Sequence, residues 1–513
     1  MSRKVNEMKI KILFVSILLS IALTENITYS QVKEIKEKEL WGNYISEKFE
    51  KAVKVNTGVY IFIDHKFGKI EVNSWQKNEV LIKGEKKVYS EVKKSGEKFI
   101  KDIFVDISKR GNNLLISTEY PSFRTSDVKS YQVNYIITVP GKCNLRIENS
   151  FGNITVLGVE GDLDVTTGHS IINVKNIGGE VSLTNKFGAV NVQGVRGNAE
   201  VETTNGDINI SDISGDFRGI NKFGLIEVSR IGGNADVRNS NGRIKLENIS
   251  GIVEARNSFG KISVIKGDSD LRVFSSNGDI EIESINGRVE ITGSFGKIRV
   301  KNCNSSLRID SKNSSIQVNE IKKDVDINNS FGSIIAGNIY GNLKIDNSND
   351  AISVWCVKGE TIIRNKFGRV EANDIENSIF IENSNSPVSV KNVSGSVDVE
   401  NSFSLVEIIG AKNDVKINNR NGNVELSGIE PLIQKSGRRI RISTTNGVIK
   451  VFLPFNISGT ITAKTTFGEI YSDFLLEKDK YGSTIFAKGR LGKEGVDINL
   501  ETKNSTIYIR KEQ

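Results

Sequence analysis

Few residues in this 513-residue chain are of the kinds that do chemistry, and their spacing is poor for it. The two histidines, His65 and His169, each stand alone. Neither has a Cys, His or carboxylate at the intervals a zinc site uses, so both read as surface residues. No GxSxG turn, P-loop or GxGxxG-to-helix context occurs. A calcium-binding β-roll would need repeated turn aspartates for its oxygen cage, but the turns here read NSFG and ISG. Enzymes built on parallel β-helices make their clefts from long inserted loops, and the repeats here insert almost nothing. The chain is therefore read as non-enzymatic, with no cofactor and no metal.

What does recur is one aromatic and one amide. Phe151, Phe187, Phe223, Phe259, Phe295, Phe331, Phe367 and Phe403 are each thirty-six residues from the next. Rings folded inward would close their turns, which is the expected orientation. Rings facing out would form a repeating apolar stripe, the candidate binding surface. Asn149, Asn185, Asn221, Asn239, Asn257, Asn329, Asn347, Asn365, Asn383, Asn401 and Asn419 share one position of a shorter period. Stacked amides read as a structural ladder with hydrogen bonds along the axis, in preference to a row of ligand-binding groups.

The elements that must position these rows are strands. Residues 257–300 align with themselves every nine residues: Gly260, Gly278, Gly287 and Gly296 fall at one place, with Ser269 replacing glycine once. Ile262, Leu271, Ile280, Val289 and Ile298 follow two residues later, and Val264, Val273, Ile282, Ile291 and Val300 two later again. Alternation of period two marks a half-buried strand, and glycine marks the turn. Turns alternate in kind: Ile231, Ile249 and Ile285 occupy an offset that Ser240, Ser276 and Ser294 take in the other half-repeat. The structural period is thus eighteen, with a superperiod of thirty-six.

Charge decides how many residues close one coil. In-register parallel strands place equivalent residues side by side, where like charges repel. An eighteen-residue coil sets Lys261 beside Asp279 and then Lys297, and Arg272 beside Glu290 and then Arg308. A thirty-six-residue coil would set lysine on lysine. The expected fold is therefore all-β, a parallel β-solenoid with two strands per eighteen-residue coil and rungs about 4.8 Å apart. The usual handedness of crossovers favours a right-handed coil.

Forty-seven glycines and five prolines suit turns with positive φ and strands that keep their donors. The net charge of +8 is modest, with both signs interleaved, which reads as a solvated surface and not a nucleic-acid footprint. Residues 1–30 have the form of a signal peptide: Lys9 and Lys11, an apolar run from Ile12 to Leu23, then small residues before Gln31. The protein is expected to be exported, to a periplasm, to the outer surface or into the medium. Residues 31–144 read as an N-terminal β cap with protruding loops, including a lysine-rich one from Lys83 to Lys101, led by a short helix or extended segment from Gln31 to Lys51. Residues 145–427 form the regular array. Residues 428–513 form a C-terminal cap, interrupted at Pro454 and by a loop from Phe474 to Gly495. Caps cover the strand edges that an open solenoid would expose.

No disulfide is expected. Cys303 and Cys356 lie almost three coils apart, about 14 Å, whereas a disulfide needs Cα atoms within about 7 Å. Cys143 is farther along, in a turn-glycine slot. Cys303 takes a core slot, and Cys356 lies near the surface.

These motifs resemble the bacterial "putative adhesin" family of β-strand-repeat proteins, whose members carry the label of a domain of unknown function. NSFGNITV (149–156), TTNGDINI (203–210) and SNGDIEI (276–282) have its Gly-x-Ile-x-Val beat. Residues 135–140, YIITVP, are similar to the strand by which such chains enter the array. The tail segments NGVIKVFLP (446–454), TAKTTFGEIYSDF (462–474) and GRLGKEGVDINLETKNSTIYI (489–509) are the most specific. The resemblance covers residues 50–513 and implies a secreted β-solenoid without known catalytic residues. It points to an adhesin-like or cell-envelope scaffold that binds an extended polysaccharide or another envelope protein. A periplasmic binding or signalling accessory, with the N-terminal loops as its contact, is the alternative. A carbohydrate-active enzyme is the third reading.

Overall fold

The computed structural model describes residues 38–41, 43–122, 126–430, 437–492 and 495–512. The expected signal peptide lies outside them. The chain is a parallel β-solenoid of about 16 turns at roughly 18-residue spacing, with 66% of residues in strands and 2% in helix. It divides into two compact units, one reaching Ser170 together with Asn176–Gly179, the other comprising Ile171–Lys175 and Glu180–Gln513.

One coil of the larger unit shows how the sequence makes the fold. In strand Ile226–Ile231, Ile226 and Val228 point inward by simple alternation. Ser229 and Arg230 then both face outward, and Ile231 is inward again. The extra outward residue is possible because Arg230 is left-handed, with φ 56°. The same corner recurs at Asn248, Lys266 and Ser284 at 57°, 58° and 61°. A left-handed L-residue costs about 1–2 kcal/mol, while burying the third aliphatic side chain contributes about 1.5–3 kcal/mol. Burial wins, so the corner persists without glycine. The second strand, Ala235–Asn241, buries Ala235, Val237 and Asn239. Register is offset by one coil throughout: Ile226 pairs with Ile244 and Val228 with Leu246, and on the other ladder Ala235 pairs with Val253 and Asn239 with Asn257.

The second turn does require glycine. Gly260 has φ 105°, and a Cβ there would lie 2.4 Å from the Gly242 carbonyl oxygen of the preceding coil. Stacked turns leave no room for a side chain.

The charge test holds on the second ladder, where Arg272 pairs with Glu290 and Glu290 with Arg308. It is modified at the turn. The Lys261 ammonium reaches Glu281, while Asp279 Oδ1 accepts the backbone N–H of Lys297 at 2.8 Å.

The smaller unit contains more strand than its sequence shows. Tyr44–Lys54, Glu79–Ser90 and Val128–Pro140 form an antiparallel sheet. The expected lysine-rich loop is largely the end of Glu79–Ser90, followed by helix α1, Lys93–Lys101. Alternation there was masked by glycine: Gly84 occupies an inward slot because the Phe49 ring lies against it, where a Cβ would be 2.0 Å from the ring. The outward Lys83 pairs with Glu50 across the strands, and Lys86, on the inward face and only 13% exposed, pairs with Glu47. The lead-in is extended where it is described, as strands Lys38–Trp41 and Tyr44–Lys54.

Stacking departs from chain order in both units. Strand Val59–Asp64 lies between Asn113–Glu119 and Cys143–Phe151, and Ile70–Trp75 lies between Val128–Pro140 and Ile154–Leu157. The strand containing residues 135–140 therefore does not adjoin the array; the coil of residues 59–75 intervenes. In the larger unit, Val496–Thr502 inserts between Arg439–Thr444 and Gly459–Thr465. The expected loop from Phe474 contains an antiparallel hairpin, Glu477–Tyr481 with Thr484–Leu491.

Candidate functional site

The turn that carries the Phe row begins at the amide row. The eleven amide-row asparagines are between 1 and 6% exposed, so no ligand reaches them. Among the described residues their amides donate to turn carbonyls. Asn257 Nδ2 donates to the carbonyl of Gly242 at 2.7 Å and to that of Gly260 at 3.1 Å. Asn239 Nδ2 likewise donates to Gly224 at 2.9 Å. Most of these amides thus tie their own turn to the one before, while Asn383 and Asn401 donate within their own turn. The expected ladder of stacked amides is replaced by bonds that run from amide to turn backbone.

His65 belongs to this row. It is 2% exposed, which corrects its reading as a surface residue. Phe67 bridges Phe151, so HKFG (65–68) stacks on NSFG (149–152) and puts His65 in the asparagine slot. Alignment of HKFGKIEV (65–72) with NSFGNITV contains that signal. His65 Nδ1 is 3.1 Å from Thr118 Oγ1, which in turn is 2.6 Å from the Tyr135 hydroxyl. Burial lowers the imidazole pKa to about 4, and the same cause raises that of Tyr135. His169, as expected, is exposed.

Two residues beyond each buried amide, the chain has turned outward. The Phe row is 44–54% exposed, so the expected inward orientation is overturned. The inward slot is already filled by the asparagine; strict alternation would send the residue two further on inward as well, but the chain turns at that point and the ring faces solvent. In the larger unit Phe and Asn alternate rung by rung: Phe187 bridges Asn205, Asn205 bridges Phe223, and Phe223 bridges Asn241. The order continues through Phe259, Asn277, Phe295 and Asn313. Rings are therefore two rungs apart, about 9.6 Å, with an amide between. In the smaller unit Phe151 is stacked between Phe67 and His169, centroids 5.5 and 4.8 Å away.

Cations flank the rings. Lys186 and Lys222 immediately precede Phe187 and Phe223; Lys261 and Lys297 follow Phe259 and Phe295 by two residues; Phe367 has Lys366 before it and Arg369 after it. No Asp or Glu takes either flanking slot at any Phe of the row. Asp207, Asp279 and Asp350 fall in the intervening asparagine coils, where each accepts a backbone N–H at 2.8 Å.

Elsewhere, two outward carboxylates are held by arginine. The Arg230 guanidinium hydrogen-bonds Asp212 and holds its carboxyl at about 2. The Arg256 guanidinium does the same for Glu254, placing it below the usual carboxylate range. Half-burial raises Asp64. Asn248, Ser250, Lys266, Asp268, Ser284 and Asn286 line a depression of about 310 Å³ on the left-handed corner, a polar surface of mixed charge. Among the described residues, no group of three or more His, Cys, Asp or Glu is placed to hold a metal. Cys143 and Cys303 are buried and Cys356 is exposed, all three as free thiols. Burial pushes the Cys143 thiol up to about 12.

No family model matches the chain, and no curated protein does. One solved structure similar to it is described as a "putative cell adhesion protein" from Clostridium sporogenes, at 8% identity, with 91% of this chain and 100% of that one covered and a TM-score of 0.16. At that score the likeness carries no structural argument, and the fold rests on the strand register above.

Proposed function

We propose that this protein is an exported, non-enzymatic solenoid of the adhesin type, which binds an extended partner along its Phe edge. The observation that carries the reading is the exposed Phe column: seven rings in the larger unit, each about half exposed, repeat at every second rung. A column of half-exposed aromatic rings confined to one edge supports reading that edge as an interaction surface. The carboxylates held low by arginine stay ionised, as scaffold ion pairs do, and are not poised for proton transfer. The Gly-x-Ile-x-Val repeats and the tail segments support placing the chain among the adhesin-type β-strand-repeat proteins.

Replacing Phe259, Phe295 and Phe331 together with Ser tests the edge. Loss of binding to whole envelopes at unchanged melting temperature supports it. A large fall in melting temperature would instead make the rings part of the fold. Protease added to intact cells tests exposure. Cleavage favours adhesion or surface scaffolding. Protection until the envelope is opened rules out direct adhesion and moves the assignment to a periplasmic accessory.

A further inference from the structure

The charges beside the Phe column carry the argument further, on the reading that this edge is the binding surface. Charge on the rest of the larger unit is mixed or acidic. The outward row of the strands after these turns has more carboxylates than cations, including Glu227, Glu281, Glu371 and Glu407. The Phe edge differs in sign. Lys261 is engaged by Glu281 and Arg369 by Glu371. Lys186, Lys222, Lys297 and Lys366 form no ion pair among the described residues. All four are exposed.

We infer that the partner is an acidic polysaccharide, an extended glycan with about one carboxylate per disaccharide, lying along the Phe edge. Three features select this class. The surface is chemically periodic, and a periodic surface fits a periodic polymer better than the irregular face of a folded protein. Each ring presents a flat apolar face suited to the C–H face of a sugar ring. The two-rung spacing, about 9.6 Å, is on the scale of a disaccharide. Cations are sparse, about one to each flanked ring, whereas a nucleic-acid strand brings a phosphate with every nucleotide and calls for a dense basic groove.

Binding of the purified protein should be measured by titration calorimetry against four probes. These are hyaluronan, hyaluronan whose carboxyls have been reduced to alcohols, a soluble neutral β-linked glycan, and single-stranded DNA. Hyaluronan should bind best, and carboxyl reduction should weaken it by about tenfold, since four exposed pairs each contribute a modest increment. The quadruple variant K186Q/K222Q/K297Q/K366Q should lose the same factor for hyaluronan at unchanged melting temperature, and lose nothing for the reduced polymer. Equal binding of native and reduced polymer, or tighter binding of the neutral glycan, overturns the acidic class but leaves the Phe edge standing if the triple Phe→Ser variant still loses binding. Tighter binding of DNA overturns the glycan assignment. Failure to bind any probe overturns the acidic-glycan inference, and an undiminished Phe→Ser variant on whole envelopes overturns the edge itself.

Discussion

Single residues of this protein are fixed by what their turn needs. Asn257 donates to two turn carbonyls, one in its own turn and one in the turn before. Asn257→Ala should leave them unpaired and destabilise the larger unit by about 1–3 kcal/mol. Urea denaturation measures this, and a change within error would mean that water takes over the amide's role. His65 makes a different prediction, because its slot holds a titratable ring. The folded pKa is about 4 against 6.5 for the free side chain. Between these values the unfolded chain takes up a proton that the folded one does not, so stability is full above pH 6.5 and falls as pH drops towards 4. The loss amounts to about 3 kcal/mol. His65→Asn, which restores the residue used in the rest of the row, should flatten that limb of the stability profile of the smaller unit. An unchanged limb would assign the acid sensitivity to other groups.

At the scale of the element, each coil combines two turns that solve one problem differently. The Phe-Gly turn stacks so closely that a side chain at glycine meets the backbone before it. Gly260→Ala, with its Cβ 2.4 Å from the Gly242 oxygen, should cost about 2 kcal/mol or more. The left-handed corner has room but an unfavourable backbone. Lys266, at φ 58°, should tolerate glycine, and Lys266→Val should destabilise by about 1–2 kcal/mol because branching at Cβ worsens a left-handed conformation. Thermal melts of the two variants separate these mechanisms. If Gly260→Ala melted like the parent, close stacking would not be what reserves the site for glycine.

The whole molecule is built by neighbour contacts, so its stability sums over adjoining coils. The C-terminal coil is an informative exception, since it lies inside the stack and not at its end. Truncation after Gly495 would remove the rung to which Arg439–Thr444 and Gly459–Thr465 both pair. Amide hydrogen exchange should then show loss of protection across 459–472 as well as around the cut. Protection retained there would show that this segment closes the stack without the last coil.

How far the chain could be read before its structure was known depends on period. The eighteen-residue coil, the two strands and the two turn types follow from alternation and from charge neighbours such as Arg272 and Glu290, because a stacked repeat writes its register into its sequence. The irregular ends were less legible. Gly84 hides an inward slot that the Phe49 ring fills, so a strand read as a lysine-rich loop. HKFG stands far from the array in sequence and stacks directly on it, so His65 read as a surface histidine. Orientation of the Phe row needed the three-dimensional packing, since one inward slot per turn admits one side chain and asparagine holds it. Local pattern determines which residues share a row, and tertiary stacking alone decides which row faces water and which coil lies beside which.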